Sequence, residues 1–282
     1  MPRSLVWATS IDVLPADRRI ERRDGYLAIR SPSNPAHYWG NYLLFEEPPR
    51  ADDRDRWEAL FGLEFGDEPG VRHRTFAWDQ TDGAAGAARE EFTDHGYDLD
   101  ESIGLIADAA RPRHHRRTNR AVTVRALDPT AGADEHVWAE VVELQVGNRE
   151  EGQDERDNRA FSRTRQADLR EHFRAGRGAW YVAIDPATGG LAASCGVVVT
   201  EGRGRFQAVD TALTFRRRGI ASRLVVDAAQ HSAAHYGAKR FVIVADAGYH
   251  AVGLYESLGF ERAEQVTGVC RWPRATTPQV NP

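Results

Sequence analysis

The stretch Arg205–Val226, RFQAVDTALTFRRRGIASRLVV, constrains the fold more than any other part of this chain. A strand-like run, Arg205–Leu213, enters a basic turn that ends at Gly219. A helix follows at once, with Ile220, Leu224, Val225 and Ala228 on one face. A strand delivered straight into a helix points to an α/β layered fold. The first amides of that helix have no intrahelical partner, and the helix dipole adds partial positive charge there. A glycine at that place lets an anion approach without a Cβ in its way. The turn is therefore a candidate phosphate cradle. It is neither a G-x-x-x-x-G-K-[ST] loop nor a G-x-G-x-x-G turn, which sets aside the common nucleotide and dinucleotide sites.

The flanking sequence supplies the rest of a sheet. Ala121–Leu127 alternates like a strand, and Asp134–Val146 and Arg163–Gly176 read as helices. Two apolar runs joined by PATGG form a hairpin. Lys239–Asp246 reads as a buried strand, HAVGLYESLGF as a short amphipathic helix, and EQVTGVCRW as a last strand. The predicted order from Ala121 is β-α-α-β-β-β-α-β-α-β. The polar, basic segment Ala110–Arg120 reads as a linker between two halves. His114 and His115 lie in it, and they read as solvated side chains, not metal ligands.

A net charge of −5 argues against a nucleic-acid partner, and Lys239 is the only lysine. Cys195 and Cys270 lie in apolar runs and read as buried thiols, with no metal site. No window has the length of apolar residues that a membrane helix needs, and the first residues do not resemble a signal peptide. A cytoplasmic protein, monomeric or homodimeric, is the expectation.

RRRGIA, Arg216–Ala221, resembles the [QR]-x-x-G-x-[GA] pyrophosphate motif of the GNAT superfamily of acetyl-CoA-dependent N-acetyltransferases. GLYESLGF, Gly253–Phe260, resembles the helix end that closes the acyl-CoA site of that family. The resemblance implies a mixed-sheet α/β acyltransferase fold. It implies that amides of Arg217, Arg218, Gly219, Ile220, Ala221 and Ser222, in the motif begun by Arg216, hold the pyrophosphate. Val209, Asp210 and Thr211 would pair with the pantetheine arm as an added strand, and Tyr255 would protonate the departing thiolate. Three positions depart from the family pattern. Gly248 stands where an asparagine often contacts the cofactor, Leu213 replaces a proline, and Gln207 replaces a glutamate that helps deprotonate the amine. Asp210 or His250, through water, remain candidate bases. A non-catalytic acyl-CoA-binding protein is the alternative.

The first half looks like a decayed copy of the second. Glu91–Ala107 lies on Leu254–Cys270 without a gap, which puts Phe92 on Tyr255 and Gly96 on Gly259. No glycine turn stands where the copy needs one. The expected organisation is therefore a degenerate GNAT-like domain over residues 1–110, a linker over 111–120, a catalytic domain over 121–273 and a disordered tail over 274–282. The partners expected are acetyl-CoA and an amine acceptor, with neither nucleic acid nor membrane. Tyr38, Trp39, Asn41 and Tyr42 are candidate acceptor contacts. Glu150, Glu151, Asp154, Glu155 and Asp157 offer negative charge that would attract an ammonium group.

Overall fold

The computed structural model describes residues 1–130, 132–149, 152–248 and 250–272. The expected tail and the candidates Glu150 and Glu151 lie outside the described residues. The first half contains α1 (Leu5–Asp12), β1 (Arg19–Arg23), β2 (Tyr26–Arg30), β3 (Tyr42–Phe45), α2 (Asp53–Phe65), β4 (Arg74–Trp78), α3 (Ala88–Glu91) and β5 (Asp98–Asp108). The second contains β6 (Thr123–Ala126), α4 (Glu135–Gly147), α5 (Glu155–Arg174), β7 (Gly178–Ile184), β8 (Leu191–Thr200) and β9 (Arg203–Thr211). It continues with α6 (Ile220–Tyr236), β10 (Arg240–Asp246), α7 (Ala251–Ser257) and β11 (Glu261–Arg271). The order in the second half is the one expected from the sequence.

All eleven strands join one mixed sheet, β1-β2-β3-β4-β11-β5-β10-β9-β8-β7-β6. Only β3–β4 and β9–β10 pair in parallel. Exchanging β4 with β10 and β5 with β11 leaves the middle of that order unchanged. The copy inferred from sequence is thus a pseudo-twofold of the sheet. Register supports it: Gln265 faces Ile103 and Val266 faces Ser102, which are images of each other under the sequence overlay.

The two halves do not close separately. β5, from the first half, lies between β10 and β11 of the second, and β11 lies between β4 and β5. The cores follow the strands. Ile103, Leu105 and Ala107 of β5 pack with Leu224, Val225 and Phe241 in the core under α6. Val269 of β11 joins Phe45, Trp57, Phe76 and Phe92 in the core under α2. Trp57 stacks on Phe45 there, with ring centroids 3.7 Å apart, and such rings carry much of the apolar burial. Cys195 and Cys270 are both buried free thiols, as expected.

The expected linker is a strap docked on the second half. Arg113 N donates to Leu258 O at 2.9 Å, Asn119 N donates to Gly219 O at 3.0 Å, and His114 Nε2 lies 3.2 Å from Asp227. No helix among the described residues is long and apolar enough to cross a membrane.

Candidate active site

The parallel ladder between β9 and β10 runs only from Arg203–Arg240 to Arg205–Val242. Beyond it the two strands splay, while β10 stays paired with β5 on its other side as far as Asp246. The edge of β9 from Phe206 to Thr211 is therefore open toward β10, ready to accept an added strand. A bulge between the Gly196–Gln207 and Ser194–Asp210 pairs bends β9 at this point, with Ala208 at φ +42°. Because a bulge adds one residue, it returns Asp210 to the face that carries Arg205 and Gln207.

A cleft of about 670 Å³ opens where the strands part. Val209, Asp210 and Thr211 form one wall, and Ala251, Leu254 and Tyr255 of α7 form the other. Arg216, Arg217, Gly219, Ile220, Ala221 and Ser222 close one end. Two of the expected contacts are elsewhere. Arg218 does not line the cleft; its guanidinium lies over the Phe215 ring, 5.4 Å from the centroid. Gly248 does not line it either, and its amide donates to Asp246 Oδ1 at 2.7 Å.

The turn itself is built from alternating backbone conformations. Arg217 has φ +63° and Gly219 has φ +73°, immediately before the 17-residue α6. Such an arrangement aims successive amides into one concavity, at the positive end of a helix. The reason for glycine differs from the sequence expectation. A Cβ at Gly219 would stand 1.9 Å from Arg117 O, so it would strike the strap. Left-handed backbone and the strap's close approach require glycine here.

Asp210 accepts from Asn148 Nδ2 at 3.1 Å, and Asn148 Oδ1 accepts from Arg216 at 2.9 Å. Burial pushes the Asp210 carboxyl above the usual carboxylate range, against the hydrogen bond from Asn148 and the charge of Arg216. Gln207 is held by Arg165, whose guanidinium donates to its Oε1 at 2.9 Å. Tyr255 is 6% exposed and stands on the cleft wall. His250, the other candidate base, also lines the cleft.

Several lining residues escaped the sequence reading of the site, Ala251, Leu254 and Ser257 of α7 among them. Asn148 sits just past α4, and His115 and Arg117 come from the strap; Phe215 precedes the turn. Only the basic run around His115 offered a signal, and it pointed to a linker.

The copied helix end lacks the site. Leu258 N and Phe260 N donate to Tyr255 O at 3.0 and 3.2 Å, and His95 N and Tyr97 N donate to Phe92 O at 3.0 and 3.1 Å. The backbone is therefore the same, but Phe92 has no hydroxyl. At the matching helix start, α2 carries Asp53 and Asp55 in its first turn, and Asp53 Oδ2 accepts from Arg50 N at 2.9 Å. Carboxylates occupy the place an anion would take.

The acceptor candidates divide. Tyr42 is fully buried in the core against Trp7, with ring centroids 5.9 Å apart. Asn41 fastens its own loop, with Nδ2 donating to Asn34 O at 2.9 Å. Tyr38 meets Trp272 edge-on at 4.4 Å, and Trp39 packs in the same core as Tyr42. Of the acidic run, Asp154 caps α5 by accepting from Asp157 N at 2.9 Å. Glu155 pairs with Arg149 and Arg159 at 3.2 and 3.0 Å. Those two charges are engaged within the protein and do not form a free acidic patch.

Residues 186–269 match the family model described as FR47-like protein. No curated protein matches the chain in sequence. Among solved structures, a functionally unknown conserved protein from Staphylococcus epidermidis ATCC 12228 is similar with a TM-score of 0.67 at 11% identity, covering 90% of this chain and 94% of its own. A GCN5-related N-acetyltransferase from Kribbella flavida gives 0.63 at 14% identity, covering 95% and 96%. A tandem GNAT protein from the clavulanic acid biosynthesis pathway gives 0.55 at 14% identity, covering 98% and 91%. The chain has the fold of the GCN5-related N-acetyltransferases in its tandem form, with FR47-like sequence in its second half.

Proposed function

We propose that this protein is an N-acetyltransferase that moves an acetyl group from acetyl-CoA to a primary amine of a small molecule. One observation carries the reading. A single cleft has a helix-start turn at one end, an unpaired strand edge along one wall and a tyrosine on the other. Those are the elements a pyrophosphate, an amide-bearing arm and a departing thiolate would need. Acetyl-CoA supplies an acyl group already activated as a thioester. Amides of residues 217–222 hold the pyrophosphate, Val209–Thr211 pair with the pantetheine arm, and β9 amides polarise the thioester carbonyl. The amine nitrogen bonds to the carbonyl carbon as the carbon–sulfur bond breaks. Tyr255 gives its phenolic proton to the sulfur, and Asp210 or His250, through water, takes the surplus proton of the amine.

Residues 121–273 form the acyl-transfer half in this reading. Residues 1–110 contribute a wall of the acceptor cleft and two strands' worth of pairing, without a cofactor site of their own. The protein acts in the cytoplasm as a monomer or homodimer. A second reading, non-catalytic acyl-CoA binding, is favoured by Gln207: a carboxamide held by Arg165 takes no proton at neutral pH. Calorimetry with acetyl-CoA, followed by coenzyme A release over an amine panel for wild type and Tyr255→Phe, separates them. Binding without turnover of any amine would leave the second reading standing.

A further inference from the structure

Two arginines, Arg205 of β9 and Arg165 of α5, meet at the face of β9 opposite α6, and among the described residues neither has an ion-pair partner. Gly204 and Phe206 alternate with Arg205 and Gln207, and Phe206 is buried in the core with α6. Arg205 and Gln207 therefore point the other way, toward α1 and α5. Arg205 donates to Thr9 Oγ1 at 3.2 Å and to Ser10 Oγ at 3.5 Å, and its buried Nε has no partner. Arg165, from α5, donates to Val13 O at 2.9 Å and to Gln207 Oε1 at 2.9 Å. Every one of these acceptors is a neutral oxygen. Among the described residues, no carboxylate comes within ion-pair distance of either guanidinium.

The neighbouring charges make the contrast plain. Arg203, two residues before Arg205, is paired with Asp12 at 3.0 Å. Asp168, the carboxylate that acts on Arg165, instead accepts from Asn34 Nδ2 at 3.0 Å. Burial lowers Arg165 to about 10, and burial together with the field of Arg165 lowers Arg205 to about 10. The Tyr42 hydroxyl, near enough to feel Arg205, is buried with no hydrogen-bond partner. Two like charges held together, with Asp168 acting on Arg165 only from beyond ion-pair distance, are stabilised when an anion enters between them.

The location ties these two arginines to the cleft. Asp210 lines the cleft, Gln207 is next along the same face of β9, and Arg205 lies beyond it. At about 3.3 Å of rise per residue, Asp210 and Gln207 are roughly 7 Å apart along the strand. Thr9 and Ser10 of α1, and Val13 just past its end, accept from these guanidinium groups, so the first half contributes directly.

We propose that Arg165 and Arg205 form the anion-binding end of the acceptor site, so that the preferred acceptor is a primary amine carrying a carboxylate or phosphate group. The inference rests on the acetyltransferase reading and specifies its substrate class. It replaces the expectation of an acidic pocket for a simple ammonium substrate with one for a zwitterion.

The test compares matched amines with the full-length protein: L-lysine with cadaverine, β-alanine with ethylamine, and O-phosphoethanolamine with ethanolamine. The first two pairs probe a carboxylate and the third a phosphate. Wild type should favour the anionic member of one or more pairs by about 10- to 100-fold in kcat/KM, the usual worth of charged hydrogen bonds. The Arg165→Gln/Arg205→Gln double variant should lose that preference while keeping its affinity for acetyl-CoA. Arg205→Lys should recover part of it. Equal use of both members by wild type, or a preference that survives the double variant, would overturn the proposal. If acetyl-CoA binds and no amine turns over, the acetyltransferase reading has failed. Thermal stabilisation by the same compounds then decides the role of the two arginines: arginine-dependent stabilisation by the anionic members upholds it, and none refutes it.

Discussion

Gly219→Ala tests the turn, the strap and the cleft together. The residue has φ +73°, and left-handed backbone costs a side chain about 1–2 kcal/mol. The new Cβ would stand 1.9 Å from Arg117 O, so turn or strap must move by roughly 1.5 Å to reach van der Waals contact. That movement breaks the 3.0 Å bond from Asn119 N to Gly219 O, worth about 1 kcal/mol, and adds about 1 kcal/mol of misfit. The sum is about 3–4 kcal/mol of lost stability. Gly237→Ala is the control, because Gly237 has nearly the same φ, +69°, and nothing within 4 Å of its Cβ position. It should lose only about 1–2 kcal/mol. Urea unfolding reads both. Calorimetry with acetyl-CoA reads the site: displaced amides should weaken binding by about tenfold or more for Gly219→Ala. Arg217→Ala, which removes a solvated charge, should weaken it by about threefold at most. Equal stability losses for the two glycine variants would refute the close approach of the strap. A destabilised Gly219→Ala that binds acetyl-CoA normally would refute the role given to the turn.

Other outcomes follow from the same structure. Tyr255→Phe should lower kcat by about 100-fold with little change in the KM for acetyl-CoA, as expected for loss of a general acid; an unchanged kcat would remove Tyr255 from the mechanism. Burial lowers His73 and His172 to about 4, and each ring nitrogen Nε2 lies within 2.9 Å of a backbone carbonyl. Both stay neutral in the fold while the unfolded chain protonates near 6.5. Stability is therefore full above that pH and falls as pH drops from about 6.5 to about 4, by up to about 1.4 kcal/mol per unit for each histidine. Urea titrations across that range check it, and His172→Gln should flatten the slope. A fragment of residues 111–282 should fail to fold alone, because its sheet lacks β5; co-expression with residues 1–110 should restore a soluble complex, and a stable isolated fragment would contradict the exchanged pairing.

Much of the second half was legible because its elements are locally consistent. β8 spans Leu191–Thr200, the same ten residues read as a strand from their unbroken apolar pattern. Val209, Asp210, Thr211 and Tyr255 come together because the turn and helix motifs fix the local backbone. The misses are of another kind. α1 and the β1–β2 hairpin carry no clear period: β1 reads RIERR and is mostly exposed, while β2 is buried throughout. α5 begins eight residues before the helix expected from Arg163, because Glu155–Arg159 is polar throughout and shows no apolar period; Asp154, counted among the acidic charges, is its cap. The insertion of β5 beside β10 depends on pairings over 130 residues apart, which no local pattern encodes. The sequence singles out Gly219 as room for an anion, whereas the neighbour its Cβ would meet is the strap.

The exchanged strands also set the order in which this chain can fold during synthesis. β4 has β3 on one side, but its other edge waits for β11, which emerges almost two hundred residues later. The first half therefore leaves the ribosome with an open, apolar edge and cannot finish early, unlike an ordinary leading domain. Contacts this distant in sequence slow folding and expose intermediates to aggregation. They also bind the fate of the halves: a half that has lost its own turn and tyrosine still owns a strand in its partner's core.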